Sequence, residues 1–216
     1  MTAAEDNLDV AHFAEFLAGD YARLRLYMGL SAFNRMAHLC AANISFPRTT
    51  ARSLSQRLPS FLMVTRPYSK SFELSELALV EDAFNAALAA PDAPVLIPAE
   101  FSRRSLRDFF LDVHPSVQRL QLRTNATSLW AALTAGELPP PPGFLEAPQE
   151  LLVWRQGLTS RFRMLGQDEA LALDEAAGGK LASSDQLPEN FLRGWLEAEV
   201  ISAVRGMNEA GEKQSP

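Results

Sequence analysis

The chain has 216 residues, 47% of them apolar and 21% charged, a composition typical of a globular protein with a core and incompatible with disorder throughout. Its formal net charge of -6 argues against binding driven by nucleic-acid phosphates, although a local basic face stays compatible with it. Cys40 is the only cysteine, which excludes an internal disulfide and a cysteine-based zinc or iron-sulfur cage.

The first ten residues do not resemble a secretory signal, because they carry Glu5, Asp6 and Asp9 and no apolar central region. No apolar run in the chain reaches the roughly 18 residues that a membrane-spanning helix needs. We therefore expect a cytoplasmic protein without a membrane partner.

The pattern of apolar residues from residue 9 onward predicts a bundle of helices. Apolar residues recur at helical spacing over residues 9–44, which indicates two or three helices, with Gly29 as an interruption and Ser31 as the expected cap of the last one. Pro47 should end that pattern, and a short helix is predicted over 53–63.

The clearest helix is predicted over 73–90 and should end at Pro91. Its apolar face carries Leu74, Leu77, Val80, Phe84 and Leu88. Glu73, Glu76 and Glu81 lie off that face, and we expect such carboxylates to be solvated.

A connector of three prolines follows, and the periodicity changes beyond it. Residues 93–98 therefore mark the expected linker between a helical domain (1–92) and a second domain (99–206), with a disordered polar tail at 207–216. Alternating apolar and polar residues predict strands around 119–123 and 158–165, and the Gln156-Gly157 pair predicts a hairpin turn.

Helices are predicted to interleave with these strands, over about 125–135, 167–177 and 188–205. Gly178-Gly179-Lys180 indicates a helix C-cap rather than a phosphate loop. Four consecutive prolines at 139–142 predict an exposed polyproline-like loop, for which a spacer is favoured over a ligand of a proline-binding domain. Together the elements predict an α+β fold with a short antiparallel sheet in the second half.

The residues that usually perform chemistry are scattered. His12, His38 and His114 belong to no metal-binding motif, and Cys40 is expected to be a small buried thiol rather than a nucleophile paired with His38. No nucleotide-binding or serine-hydrolase motif occurs. The sequence thus predicts a protein that works by binding and holds no metal or cofactor of its own.

Arginine is the one distinctive residue type in the second half, where no lysine accompanies it between residues 102 and 163. The eight are Arg103, Arg104, Arg107, Arg119, Arg123, Arg155, Arg161 and Arg163. At alternate strand positions several of them would line one outer face of a sheet. That face is either an ordinary charged surface or a docking surface for an acidic peptide added as an extra strand.

Several short motifs occur in an order that resembles the HvfC/BufC group, across residues 27–173. The most telling are His114-Pro115-Ser116-Val117 and Leu152-Val153-Trp154-Arg155. The others are Leu58-Pro59-x-Phe61-Leu62, Leu77-Ala78-Leu79-Val80-Glu81-x-Ala83, Leu129-Trp130-Ala131 and Phe162-Arg163. Members of this group accompany multinuclear non-haem iron-dependent oxidative enzymes that modify ribosomally made peptides, and the methanobactin subunit MbnC and the thiaglutamate-pathway subunit TglI are similar partners.

The resemblance implies a division of labour. Iron and oxidation would belong to a partner enzyme in a heterodimer, while this chain would carry no catalytic residue and would bind the leader of a precursor peptide, with methanobactin-type cysteine modification as the most specific expectation. The helical half would pack on the enzyme through Phe61, Leu62, Arg66 and His114, unless His114 only closes a turn before Pro115. A winged-helix-like second half would bind the peptide through Arg119, Arg123, Leu152, Trp154, Arg161 and Arg163.

The alternative is a DNA-binding transcriptional regulator, which a winged-helix-like half also allows. The acidic net charge counts against it. A third class, an independent enzyme, is the least favoured, because the sequence shows no catalytic constellation.

Overall fold

A computed structural model describes residues 3–43, 55–96, 108–177, 182–183 and 187–206. Within it the chain forms two compact units, Met1–Asn85 with Leu120–Gln149, and Ala86–Arg119 with Glu150–Pro216. Several sequence features lie outside the described residues, namely Pro47, Arg103, Arg104, Arg107, the Gly178-Gly179-Lys180 segment, the end of the linker at 97–98 and the tail 207–216.

The first unit begins with three helices, α1 (Ala3–Asp20), α2 (Ala22–Met28) and α3 (Leu30–Asn43). Three helices agree with the predicted two or three, but the expected cap at Ser31 is wrong because α3 already begins at Leu30. Gly29 makes the break instead, with φ 77°, a backbone conformation that glycine adopts without steric penalty.

Two further helices follow, α4 (Leu58–Val64) and α5 (Phe72–Ala89), with one 3-10 turn (Tyr68–Lys70) between them. The long predicted helix is therefore confirmed within one residue at each end. Apolar residues from all five helices build the core of this unit, and the fully buried ones include Leu17, Leu24, Phe33, Leu62 and Leu77.

The chain beyond the linker alternates between strands and helices. In order these are β1 (Asp108–Val113), β2 (Gln118–Thr124), α6 (Ala126–Ala135), β3 (Phe144–Gln156), β4 (Thr159–Leu165), α7 (Gln167–Ala177), β5 (Ala182–Ser183), α8 (Glu189–Glu197) and β6 (Ile201–Gly206). The predicted α+β class, with a helical first part followed by strands, is confirmed. None of the described helices is long and apolar enough to cross a membrane.

The described strands form two small antiparallel sheets rather than the single sheet that the sequence predicted, with orders β5-β1-β6 and β2-β3-β4. The β3 and β4 hairpin is confirmed, and its strands pair from Glu150 with Leu165 to Gln156 with Thr159. The loop itself is Gly157 and Leu158, one residue later than predicted. Gly157 has φ 58°, as a type II′ turn requires at its first loop position.

The last predicted helix is correct only in its first half. α8 ends at Glu197, and residues up to 206 form β6, which pairs with β1. Glu199 has a positive φ of 60°, which ends the helical path, and the following Val200 and Ile201 are β-branched residues that favour strands. Buried Trp195 and Leu192 of α8 pack in the core of the second unit with Phe109 of β1.

The division into units differs from a linear boundary at 93–98, because Leu120–Gln149 belongs with the first helices. Trp130 of α6 stacks on Phe84 of α5, with ring centroids 4.4 Å apart. The side chain of Glu76 also accepts the backbone N–H groups of Arg123 and Thr124, each at 2.8 Å. The packing of such a segment on an earlier unit depends on contacts between residues distant in sequence, so local composition does not reveal it.

Candidate functional site

Four of the six residues predicted to bind peptide lie on one face of the β3 and β4 hairpin. Leu152 pairs with Arg163, and Trp154 pairs with Arg161. Directly paired residues of antiparallel strands place their side chains on the same face of the sheet. The structure therefore brings these four side chains together.

On β3 that face lies in the core of the second unit, and not on an outer surface as the sequence suggested, whereas Arg161 on β4 is exposed. Leu152 and Trp154 are buried among the apolar residues of that unit. Their side chains stabilise the hairpin from inside, so neither offers a binding surface. The Nε1 atom of Trp154 is buried, and no hydrogen-bond partner for it is present in the described chain.

Arg163 is held by an ion pair next to this core. Its guanidinium contacts both carboxylate oxygens of Glu169 on α7, one of them at 2.7 Å, and Trp195 donates its Nε1–H to the same carboxylate at 2.8 Å. The bonds from Arg163 lower the pKa of Glu169 below its usual range. Arg163 therefore fastens β4 to α7, and its guanidinium is already engaged.

Arg119 is engaged in the same way. Its guanidinium contacts Glu150, pairs with Asp174 at 2.5 Å and donates to the carbonyl oxygen of Ala170 at 3.2 Å. Its partners lie on β3 and α7, so this arginine ties a strand to a helix. Three of the five N–H donors of this guanidinium are thus engaged within the second unit.

Two arginines of the predicted set are exposed. Arg161 lies on β4 and Arg123 on β2, and for neither side chain is an ion pair present among residues that the structure describes. Arg123 belongs to the first unit, whereas Arg161 belongs to the second. Arg161 is thus the available cation on the hairpin.

β4 is the edge strand of its sheet. In the described part of the chain no strand pairs with its outer side, because the sheet has the order β2-β3-β4. Alternate residues of an edge strand direct their backbone N–H and C=O groups away from the sheet. A peptide in extended conformation can pair with these groups.

The second face of the hairpin corrects another expectation from the sequence. Phe162 and Met164, which alternate with the arginines, should have faced the core, yet 40% and 37% of their surfaces are exposed. Their partners on β3 are Val153 and Leu151, both fully buried. The alternation predicted the strand correctly but not the burial of its faces, since Arg161 and Phe162 are both exposed on β4 while their partners Trp154 and Val153 are both buried on β3.

The four residues predicted at the partner interface differ in burial and do not all belong to one unit. Leu62 is buried in the core of the first unit, Phe61 packs partly against that core, and Arg66 is exposed. On α4 the exposed apolar side chains are Met63 and Val64. His114 belongs to the second unit, so the four do not form one patch within either unit.

His114 closes the turn between β1 and β2. Its carbonyl oxygen accepts the backbone N–H of Val117 at 2.9 Å, and its Nδ1 accepts that of Ser116 at 3.1 Å. Burial and the nearby Arg155 hold the pKa of His114 below its ordinary value. The side chain is buried, which fits the structural role considered for it before Pro115.

Ser116 continues this network from the same turn. Its Oγ lies 2.8 Å from the Nδ1 of His114 and accepts the backbone N–H of Arg155 at 3.0 Å. The hydroxyl is fully buried, so the serine and histidine pair holds the turn against β3 and is closed to a substrate.

The sequence interpretation missed two buried carboxylates of α5 that hold other segments of the first unit. Glu76 and Glu81 were expected to be solvated, and both are buried. Glu81 accepts the backbone N–H groups of Arg23 and Leu24 in the first turn of α2, at 2.8 and 2.9 Å. The signal that could have revealed them is the distribution of apolar residues around α5. A helix that is apolar on every side is buried, and a buried carboxylate needs hydrogen-bond partners inside the protein.

The remaining candidates for chemistry are separated. Cys40 is buried and His38 is exposed, and burial raises the pKa of the Cys40 thiol to about 12. In the described ranges no three histidine, cysteine or carboxylate side chains are grouped so that they could hold a metal ion. Comparison with protein-family models and with curated proteins gives no match for this chain.

Proposed function

We propose that the chain is the non-catalytic partner subunit of an iron-dependent oxidase that modifies a peptide, and that it binds the leader of that peptide along β4. The observation that carries the proposal is the outer edge of β4, with which no strand of the described residues pairs, and the exposed Arg161 on it, for which those residues show no ion pair. The iron and the oxidation are assigned to the partner enzyme.

The side chains of β4 define the peptide that fits. Residues 159–165 contain two arginines and no acidic residue, although the whole chain carries a net charge of -6. Arg161 projects to one face and the exposed Phe162 to the other, since neighbouring strand residues alternate. An extended peptide with acidic and apolar residues in alternation would pair with the backbone and contact both side chains.

Exposed arginines on an edge strand also have a simpler explanation, because charges protect an edge against pairing with other sheets. The two explanations differ in one measurable respect, since only a binding strand has an affinity for a peptide. In the proposal the second unit, which contains β4, acts as the recognition part of winged-helix type, and the helical first unit docks on the oxidase. Methanobactin-type cysteine modification is the most specific candidate reaction.

The first test is the genomic neighbourhood, where the proposal expects a gene for an iron enzyme and a short open reading frame for a cysteine-containing peptide. Co-expression with that enzyme, together with fluorescence anisotropy of a labelled leader peptide from that reading frame, is the second test. We expect a 1:1 complex with the enzyme, and Arg161→Ala should weaken leader binding about tenfold, the loss expected for one charge-assisted hydrogen bond. Arg193→Ala, which removes another exposed arginine of the second unit, is the control and should leave the affinity unchanged.

Backbone pairing is tested separately with a leader peptide that is N-methylated at alternate residues, which should bind much more weakly than the unmodified peptide. A chain that stays monomeric with the enzyme and ignores the peptide would contradict the proposal. Binding of duplex DNA that weakens steeply with salt, in place of peptide binding, would support the regulator instead.

A further inference from the structure

The loop between α6 and β3 contains an exposed run of apolar residues that no part of the proposed function uses. We name residues 138–142, which are Leu138 and four prolines, the proline stripe. Leu138 is 93% exposed, Pro141 and Pro142 are exposed, and Pro139 and Pro140 are half-buried. A leucine in this position contributes nothing to a core.

Steric constraints fix the conformation of the proline stripe. Each proline ring holds its own φ near -65°, and each residue before a proline is restricted to extended or polyproline II angles. In the structure the stripe has no regular hydrogen-bonded element. The stripe therefore forms a short, stiff polyproline II segment before any partner arrives.

Both ends of the proline stripe are fastened to the first unit. At its start Gly136, with φ 71°, ends α6 in a Schellman motif, in which Glu137 donates its N–H to the carbonyl of Ala132 at 2.9 Å. At its end Asn125 holds the chain through its side chain. The Nδ2 group donates to the carbonyl of Pro141 at 2.9 Å, and Oδ1 accepts the N–H of Gly143 at 3.0 Å.

The role of Asn125 is informative because this residue precedes the first residue of α6. Asparagine at that position ordinarily caps the helix with its side chain, which stabilises it by about 1 kcal/mol. Here the side chain makes no capping bond to the helix, and its backbone N–H also donates to the carbonyl of Gly143 at 3.0 Å. Three hydrogen bonds of Asn125 therefore hold the end of a solvent-facing segment in place.

The surroundings of the proline stripe complete a distinct surface. Phe144 is 70% exposed and contacts the ring of the exposed Phe72, with centroids 5.6 Å apart. Glu137 precedes the stripe in the sequence and Glu146 follows it, and both are exposed. Residues 137–146 contain no basic residue. The segment is therefore apolar and is flanked in the sequence by two exposed acidic residues.

We propose that the proline stripe is a docking element for a protein partner that has a groove lined by aromatic side chains and a basic rim. Proline rings of a polyproline II segment stack on aromatic faces, and a preformed segment loses little entropy on binding. Leu138 supplies an apolar anchor, and Glu137 and Glu146 complement basic residues beside the groove. The proline stripe belongs to the first unit, whereas β4 belongs to the second.

The proposal is tested by isothermal titration calorimetry of the chain with a purified EVH1 domain. EVH1 domains are chosen because they bind proline-rich segments in an aromatic-lined groove. We expect saturable binding, a loss of at least about tenfold in affinity with Leu138→Ser, and a loss of about threefold with Asn125→Ala, which loosens the stripe without removing a contact. Val64→Ser, which changes another exposed apolar residue of the first unit, is the matched control and should bind like the unmodified chain.

Thermal unfolding of each variant shows that a loss of affinity does not come from a loss of folding. Absence of binding to EVH1, SH3 and WW domains alike, each tested at millimolar concentration, would overturn the proposal. Binding that Leu138→Ser and Val64→Ser reduce equally would overturn it as well, since the contact would then not lie at the stripe.

Discussion

Glu81 fixes the first turn of α2 through two hydrogen bonds and loses its own hydration in doing so. Burial outweighs the stabilising N–H groups of Arg23 and Leu24 and raises the pKa of its carboxyl from 4.5 to about 7. Glu76 performs the same kind of task for Arg123 and Thr124. Both carboxylates are internal connectors of the first unit and not surface charges.

The titration of Glu81 predicts how stability depends on pH. A carboxyl whose pKa is higher in the folded chain than in the unfolded chain stabilises the fold below pH 4.5, and this contribution is lost as the pH rises through about 7. The loss is on the order of 3 kcal/mol. Urea unfolding at several values between pH 5 and pH 8 should show the native chain losing stability relative to Glu81→Gln, whose amide does not titrate.

Subtracting the two curves removes the contributions of the other titrating groups. A difference between the native chain and Glu81→Gln that stays constant across this range would show that folding does not raise the pKa of the carboxyl. A carboxyl whose charged form is stabilised would show itself only in measurements extended below pH 4.5, where the native chain would lose stability relative to Glu81→Gln on acidification.

Among the elements, the helices were more predictable than the roles of the strand faces. α5 and α7 follow from apolar spacing and a following breaker, because these signals are local. The second half of the predicted helix at 188–205 could not be assigned correctly, since β6 exists only through its pairing with β1, which is distant in the sequence. The same limit explains Arg119 and Arg163, whose partners on other elements are invisible to strand periodicity.

Two glycines, one just after a helix and one inside a helix, test the backbone conformations of these elements. Gly136→Ala should lower the free energy of unfolding by about 1 kcal/mol, because its φ of 71° is unfavourable for a residue with a Cβ atom. Gly194→Ala should raise it by about 0.5 to 1 kcal/mol, because that glycine lies inside α8 and an added Cβ would meet no atom within 4 Å. Urea unfolding of both variants checks the opposite signs, and equal effects would contradict the assigned backbone conformations.

For the whole molecule, the decisive feature is that the first unit is assembled from two separate stretches of chain. The α+β class, the order of helices and strands and the site of the hairpin could be predicted, because each depends on residues close in sequence. The return of 120–149 to the helical unit could not, because it depends on contacts such as Phe84 with Trp130. For the candidate site, the sequence located the arginine strand but could not tell the engaged Arg163 from the exposed Arg161.

This discontinuity predicts the behaviour of a truncated chain. A fragment of residues 1–92, which a linear boundary would treat as a domain, lacks α6 and leaves Glu76 buried without its N–H partners. We expect it to lose cooperative unfolding and much of its helical circular dichroism, since a buried carboxylate without partners is strongly destabilising. A sharp thermal transition of the fragment would show instead that the first helices form an autonomous domain.

The rate at which thiol reagents label the buried Cys40 reports how often the first unit opens. Thiol reagents attack the thiolate, and a side chain closed to solvent with its pKa raised to about 12 reacts only after the surrounding helices separate. Because the second unit contains no cysteine, the labelling rate under native conditions measures the opening of the first unit alone. Changes in that rate when a protein partner is added would reveal which unit the partner restrains, without a label having to be introduced.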